Sequence, residues 1–200
     1  MSAFYTYDGF NQLIRVENES GLTRYGYGAD GLRSDKEVNG AKQRQVWQGG
    51  QLVYEYRHGT NAVVSKYIRG INLIAGEIAG SARQFYLYNA HGDVAGLTNA
   101  AGSLTRSYDY DAFGVERGLS SADTNPFRYC GEYYDKETGK IYLRARYYTP
   151  KLGRFSTVDP IRDGTNWYLY CYNNPLRYID PSGLPIPSPK EMSTVIIIIE

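Results

Sequence analysis

The stretches YTYDGFNQL at residues 5–13 and YGYGADGLR at residues 25–33 decide the fold, because each sets two tyrosines one residue apart and then turns polar and glycine-rich. Along an extended strand the side chains alternate faces, so Tyr5 and Tyr7, or Tyr25 and Tyr27, project to the same side. The Asp and Gly that follow favour an Asx-type reversal of the chain. The same order returns in YLYNAHGDV (Tyr86, Tyr88, Asn89) and YDYDAFGVE (Tyr108, Tyr110, Asp111). The starts lie 20 residues apart in the first pair and 22 in the second, and the 61 residues between Tyr25 and Tyr86 leave room for about two degenerate copies. YEYRHGT, from Tyr54, reads as one weaker copy. A single strand pair of this kind cannot bury its aromatic face, so successive units are expected to stack, with the phenolic hydroxyls hydrogen-bonded at the sheet surface.

Composition agrees with many short strands and tight turns. The chain has 21 Tyr, 22 Gly and 8 Pro in 200 residues against two Met and two His, a mixture that favours an all-β fold. That length suits one domain with its own core or a run of stacked repeats. The net charge of +1 supplies no field for nucleic acid or an anionic membrane, so neither is expected as a partner. Cys130 and Cys171 belong to no C-x-x-C pair, which predicts buried apolar thiols and neither a metal nor a cofactor site. The N-terminus lacks the basic-then-apolar pattern of a secretory signal, so export or surface display is expected only as part of a longer parent. Val195 to Ile199 is far shorter than the roughly 20 residues that span a bilayer.

From about residue 123 the texture changes. NPFRYCGEYYDKETGKIYLRARYYTPKLGRF predicts a strand from Phe127 to Tyr134, a polar turn from Asp135 to Gly139, and a second strand from Lys140 to Tyr148 closed by Thr149-Pro150. On that second strand Tyr142, Arg144, Arg146 and Tyr148 share one face, and Ile141, Leu143, Ala145 and Tyr147 the other. Asn166 to Tyr172 suits either a strand or a short helical turn, and the prolines after Leu184 predict an extended tail.

These features together, the Tyr-x-Tyr units followed by YDAFG, the stretch from NPFRYCGEYYDKETG to GRFSTVDPI, and NWYLYCYNNPLRYIDPSGL, resemble the rearrangement-hotspot (Rhs)/YD-repeat family. Tyr108 to Leu184 is similar to that family's repeat-associated core over its full length. The resemblance implies stacked β-hairpins at 1–107 forming a curved piece of a β-cocoon shell, a core plug at 108–184, and a tail at 185–200 left from a variable toxin region. About five repeats are too few to close a shell. The resemblance further implies a chain cut just after the D-P-x-G-L sequence, here Asp180-Pro181-Ser182-Gly183-Leu184, that frees a C-terminal effector used in competition between cells. The partners it implies are the rest of the shell and the toxin of the parent protein.

Two carboxylates can hydrolyse a peptide when they share a water, since like charges about 3 Å apart cannot both ionise and one acid keeps its proton. Asp159 and Asp180 are 21 residues apart, compatible with a strand-turn-strand return that joins them. Each precedes a proline, which holds it out of helical geometry, while Gly183 allows a sharp bend before the expected scissile bond Leu184-Pro185. Arg154 is the first choice for a supporting cation, with Arg146 and Arg162 behind it, and Asp163 is a rival acid. His58 and His91 are expected in solvated loops. The competing expectation is a non-catalytic structural or carbohydrate-binding, adhesive β-module, in which both Asp-Pro pairs merely start turns.

Overall fold

The computed structural model describes residues 3–78, 81–162 and 164–186. Eleven antiparallel strands, β1 (Phe4–Tyr7), β2 (Leu13–Asn18), β3 (Gly21–Tyr27), β4 (Arg33–Val38), β5 (Ala41–Gln48), β6 (Gln51–Arg57), β7 (Val63–Arg69), β8 (Leu73–Ile78), β9 (Gln84–Tyr88), β10 (Val94–Thr98) and β11 (Leu104–Ser107), form one open sheet in chain order. The fold is all-β, as the composition predicts, and its large sheet is a strip of hairpins that does not close.

A side-chain ladder explains why the hairpins share one geometry. Tyr27 Oη donates to the Leu13 carbonyl (2.7 Å), Trp47 Nε1 to Arg33 (2.5 Å), Arg69 Nε to Leu52 (2.8 Å), Tyr88 Oη to Leu73 (2.7 Å) and Tyr110 Oη to Val94 (3.0 Å). Each accepting residue is the first of an even-numbered strand, or in β6 the second, and the register shifts by one just before each of Tyr27, Trp47 and Arg69. The shift leaves a carbonyl free of the strand ladder, and the next repeat's long polar side chain satisfies it. The two degenerate copies are therefore Gln45-Val46-Trp47 and Tyr67-Ile68-Arg69, which restore a recurrence every 19 to 22 residues. Tyr54 and Tyr56 are not a copy. They lie on an even strand with Glu55 between them as the buried member, and their half-buried rings stack on each other at 5.7 Å.

The first member of each unit faces the rest of the chain. Tyr25 packs against Tyr147 (5.6 Å), Tyr67 edge-on to Phe127 (4.9 Å), and Tyr86 Oη donates to Asn125 (2.7 Å). These contacts come from a second, four-stranded antiparallel sheet and its loops: β12 (Tyr133–Asp135), β13 (Lys140–Leu143), β14 (Arg146–Thr149) and β15 (Arg154–Phe155). The plug's strands are shorter than the sequence pattern predicts. Phe127 makes only an isolated bridge to Tyr133, because a tight 3-10 turn at Tyr129–Gly131 reverses the chain between them. The expected strand from Lys140 to Tyr148 breaks into β13 and β14 at Arg144, whose φ is 60°. The face alternation across 140–148 fails there, and Tyr142 and Tyr147 become cross-strand partners. Asn166 to Tyr172 is a turn with one bridge, Arg154 to Leu169, leading into a 3-10 turn at Cys171–Asn173.

Charge is buried where strip and plug meet. Asp135 receives Arg33 Nη1 at 2.5 Å and Lys36 Nζ at 2.7 Å, and Lys36 also pairs with Glu137 at 2.9 Å. Burial alone would raise the Asp135 pKa, but the Arg33 and Lys36 charges outweigh it and hold the carboxyl below its ordinary range. The Arg33 guanidinium also lies over the rings of Tyr25, Tyr133 and Tyr142. Among the described residues no helix is long and apolar enough to cross a membrane.

Candidate active site

Two Asx turns hold the two acids. Asp159 Oδ1 accepts from the Ile161 amide (2.9 Å), while its own amide donates to the Trp167 carbonyl (2.9 Å). Asp180 Oδ1 accepts from the Ser182 amide (3.1 Å), the Ser182 hydroxyl (3.1 Å) and the Gly183 amide (2.8 Å), leaving Oδ2 without a donor among the described residues. Both turns begin at the Asp-Pro pairs, whose proline fixes the backbone exit. Both carboxylates are buried. Burial pushes the Asp180 carboxyl above its ordinary range; the hydrogen bonds to Ser182 and Gly183 and the charge of Arg146 offset this only in part.

One cleft of about 250 Å³ is lined by Asp159, Asp180, Arg146, Cys171, Leu184 and Pro185. The acids and the expected scissile residues thus border the same space. Its cation is Arg146: Nη1 lies 3.8 Å from Asp159 Oδ2 and 3.1 Å from the Trp167 carbonyl, and Nε donates to the Gly183 carbonyl at 2.5 Å. The guanidinium rests on the Phe155 ring, 3.6 Å from its centre. Arg154, the first choice from sequence, is exposed on β15 and does not line the cleft. Strand alternation turns it away while its neighbour Phe155 points in. Arg162 is exposed and lies over Trp167. Asp163 falls outside the described residues.

The D-P-S-G-L segment is tied to the tip of the β13–β14 hairpin. The Ala145 amide donates to the Ser182 carbonyl (3.1 Å), and Arg144 Nη1 donates to the Pro181 carbonyl while pairing with Glu132 at 2.8 Å. Gly183 has φ 68°, and a Cβ there would meet the Leu143 carbonyl oxygen and lie 2.8 Å from the Arg146 amide nitrogen. Only glycine fits this approach without displacing the hairpin. The sequence places Arg144 on one face with Arg146; that it instead holds the D-P-S-G-L turn is visible only once the strand is known to break at that residue. Beyond the bond, Tyr172 Oη donates to the Ile186 carbonyl (2.9 Å).

His58 is exposed, as expected of a loop residue. His91 departs from that expectation, because the plug's 129–131 turn covers it: only 19% of its side chain is accessible, Nε2 lies 2.6 Å from the Pro175 carbonyl, and Nδ1 lies 3.0 Å from Asp93 Oδ1. Both cysteines are free, Cys171 buried and Cys130 partly so.

No family model matches the chain. It is 34% identical over 193 residues to the tRNA nuclease WapA of Bacillus subtilis strain 168, which covers 90% of this chain and 8% of that protein. It is 32% identical over 218 residues to double-stranded DNA deaminase toxin A of Burkholderia cenocepacia, covering 90% of this chain and 15% of the relative. Among solved structures, the TcdB2-TccC3 crystal structure superposes with a TM-score of 0.70 at 23% identity, over 91% of this chain and 10% of the larger one. The Photorhabdus luminescens Tc holotoxin pore with an aspartate-to-alanine TccC3 mutation gives a TM-score of 0.72 at 21% identity, covering 98% of this chain and 11% of that one. The chain spans less than a sixth of the length of each of these relatives, and it is a homologue of short segments of large toxin-bearing proteins, with the fold of a segment of the TcdB2-TccC3 assembly.

Proposed function

We propose that this chain is the C-terminal part of an Rhs-type shell protein and that its core, residues 108–184, cuts the Leu184-Pro185 bond with Asp159 and Asp180 to free whatever follows. One observation carries the reading: both acids, Arg146 and the two residues of the bond border a single cleft. The raised pKa of Asp180 suits it to hold the shared proton, on the Oδ2 that no described residue engages. Asp159 then takes a proton from a water that attacks the Leu184 carbonyl carbon, while Asp180 gives its proton to the carbonyl oxygen. Collapse of the tetrahedral diol breaks the C–N bond as Asp159 gives its proton to the Pro185 nitrogen and a diol hydroxyl returns a proton to Asp180. The products are a Leu184 carboxyl and a prolyl secondary amine. Arg146 positions the substrate segment through the Gly183 carbonyl and offsets charge on Asp159. The reaction needs no encounter step, because the bond is already held against the hairpin tip.

The strip, residues 1–107, would continue into the shell wall through the edge of β1, which no described strand beyond β2 pairs, and the freed effector would be the variable part of the parent. A sugar-binding or adhesive module would need an exposed aromatic groove, whereas Tyr25, Tyr67 and Tyr86 are buried against the plug. The test is intact mass of the purified chain beside Asp159→Asn and Asp180→Asn. A wild-type product ending at Leu184, with both variants whole, is the expected outcome. Three folded chains that all stay full length would defeat the reading.

A further inference from the structure

A second polar cluster, outside the lining of the cleft, sits where the strip meets the plug, with Cys130 Sγ 3.8 Å from Tyr170 Oη. The turn between β9 and β10 supplies His91 and Asp93, and the 3-10 turn of the plug supplies Cys130. Asp93 is fixed by three bonds: Oδ1 accepts the Cys130 amide (2.8 Å), Oδ2 accepts Asn89 Nδ2 (2.8 Å), and its amide donates to Asn89 Oδ1 (3.0 Å). His91 Nδ1, Asp93 Oδ1 and Cys130 Sγ all lie within 4.8 Å of one another, with Nδ1 to Oδ1 at 3.0 Å and Nδ1 to Sγ at 4.0 Å.

The orientation of the imidazole restricts what can sit between these atoms. Its Nε2 is 2.6 Å from the Pro175 carbonyl, which can only accept, so Nε2 carries a proton. In the neutral ring Nδ1 then presents a lone pair to a carboxylate oxygen, two acceptors facing each other. A proton, on the ring or on the carboxyl, or a metal ion has to lie between them. The thiol favours the metal. Zinc bonds of about 2.3 Å to sulfur and about 2.0–2.1 Å to nitrogen or oxygen, at tetrahedral angles, put ligand atoms roughly 3.3–3.6 Å apart; the two spacings from Nδ1, 3.0 and 4.0 Å, lie on either side of that range. An imidazole whose outer nitrogen donates to a backbone carbonyl is also the usual support of a metal-bound histidine.

We propose that His91 Nδ1, Asp93 Oδ1 and Cys130 Sγ hold one zinc-type divalent cation, with solvent as the fourth ligand. The ion staples the strip to the plug, and through the His91 bond to Pro175 it braces the segment that leads to Asp180. The donor set of thiolate, imidazole and carboxylate selects a borderline metal over calcium or magnesium, which take oxygen ligands. None of its three ligands lines the cleft, so metal binding can be read separately from bond cutting there.

The test uses the reduced full chain, stripped with chelator and titrated with CoCl2. The expected result is one equivalent bound, with the absorption bands of tetrahedral cobalt and a thiolate charge-transfer band, both displaced by ZnCl2. Cys130→Ser and His91→Gln should weaken binding by more than the roughly 10–100-fold that loss of an outer-shell partner costs, while Cys171→Ser keeps the bands. No saturable binding by folded wild-type chain, or unchanged bands in Cys130→Ser, overturns the proposal, and a proton then bridges His91 and Asp93. Should Cys130→Ser fail to fold, the wild-type charge-transfer band and the His91→Gln titration still decide.

Discussion

Two buried acid clusters, one where strip and plug meet and one within the plug, use the same residue types to opposite ends. In the first, two cations, Arg33 and Lys36, meet two acids, Asp135 and Glu137, at 2.5–2.9 Å, and the Asp135 pKa falls. In the second, one cation, Arg146, serves two acids at longer range and spends its Nε on the Gly183 carbonyl; there the Asp180 pKa rises. Balanced charge gives a lock between two sheets. Under-balanced charge leaves a carboxyl ready to hold a proton, which is what acid-base chemistry needs.

The two clusters should respond to pH with opposite signs. Asp135 has a depressed folded pKa, so its stabilisation is complete above the unfolded value of about 3.9 and is lost as pH falls through the folded one. Asp180 has a raised folded pKa, so its contribution is present below about 3.9 and is lost as pH rises through the folded value.

The largest effect expected is on the lock. Asp135→Asn leaves Arg33 fully buried without its carboxylate partner and should cost about 3–5 kcal/mol in urea denaturation. A loss below about 1 kcal/mol would break the contrast between the clusters. Next in size is Gly183→Ala, which strains a left-handed backbone and pushes on the hairpin tip. It should cost about 1–3 kcal/mol, and the proposed Leu184 product should drop with it in intact-mass analysis. The smallest effect sharpens the sign. Asp180→Asn removes a carboxyl whose charge is disfavoured by burial, so at pH 7 it should unfold no lower in urea than Asp159→Asn, the uncleaved reference. A clear destabilisation at pH 7 that disappears in acid would contradict the assigned direction.

The repeat was legible because its signal is local: a same-face residue pair and the turn after it lie within nine residues. Even so, two of its copies hide as Gln45-x-Trp47 and Tyr67-x-Arg69, because indole and guanidinium can fill the donor role of a phenol. Asp159 and Asp180 were legible through the resemblance of their surroundings. Their supporting arginine was not. The choice between Arg146 and Arg154 depends on where β13 breaks and which way β15 faces, and neither is written in the residues around the acids.

By itself the sequence determined the all-β class, the stacking of hairpins and the two Asp-Pro turns, since alternation and turn chemistry act between near neighbours. Only the tertiary structure decided that Arg146 faces the acids, that Asp135 is locked by residues about 100 positions away, and that His91 and Cys130 meet across 39 residues. Those contacts form because burying the inner face of an open strip demands a plug. Which side chains then meet is set by the register of two sheets, a property that belongs to neither segment alone.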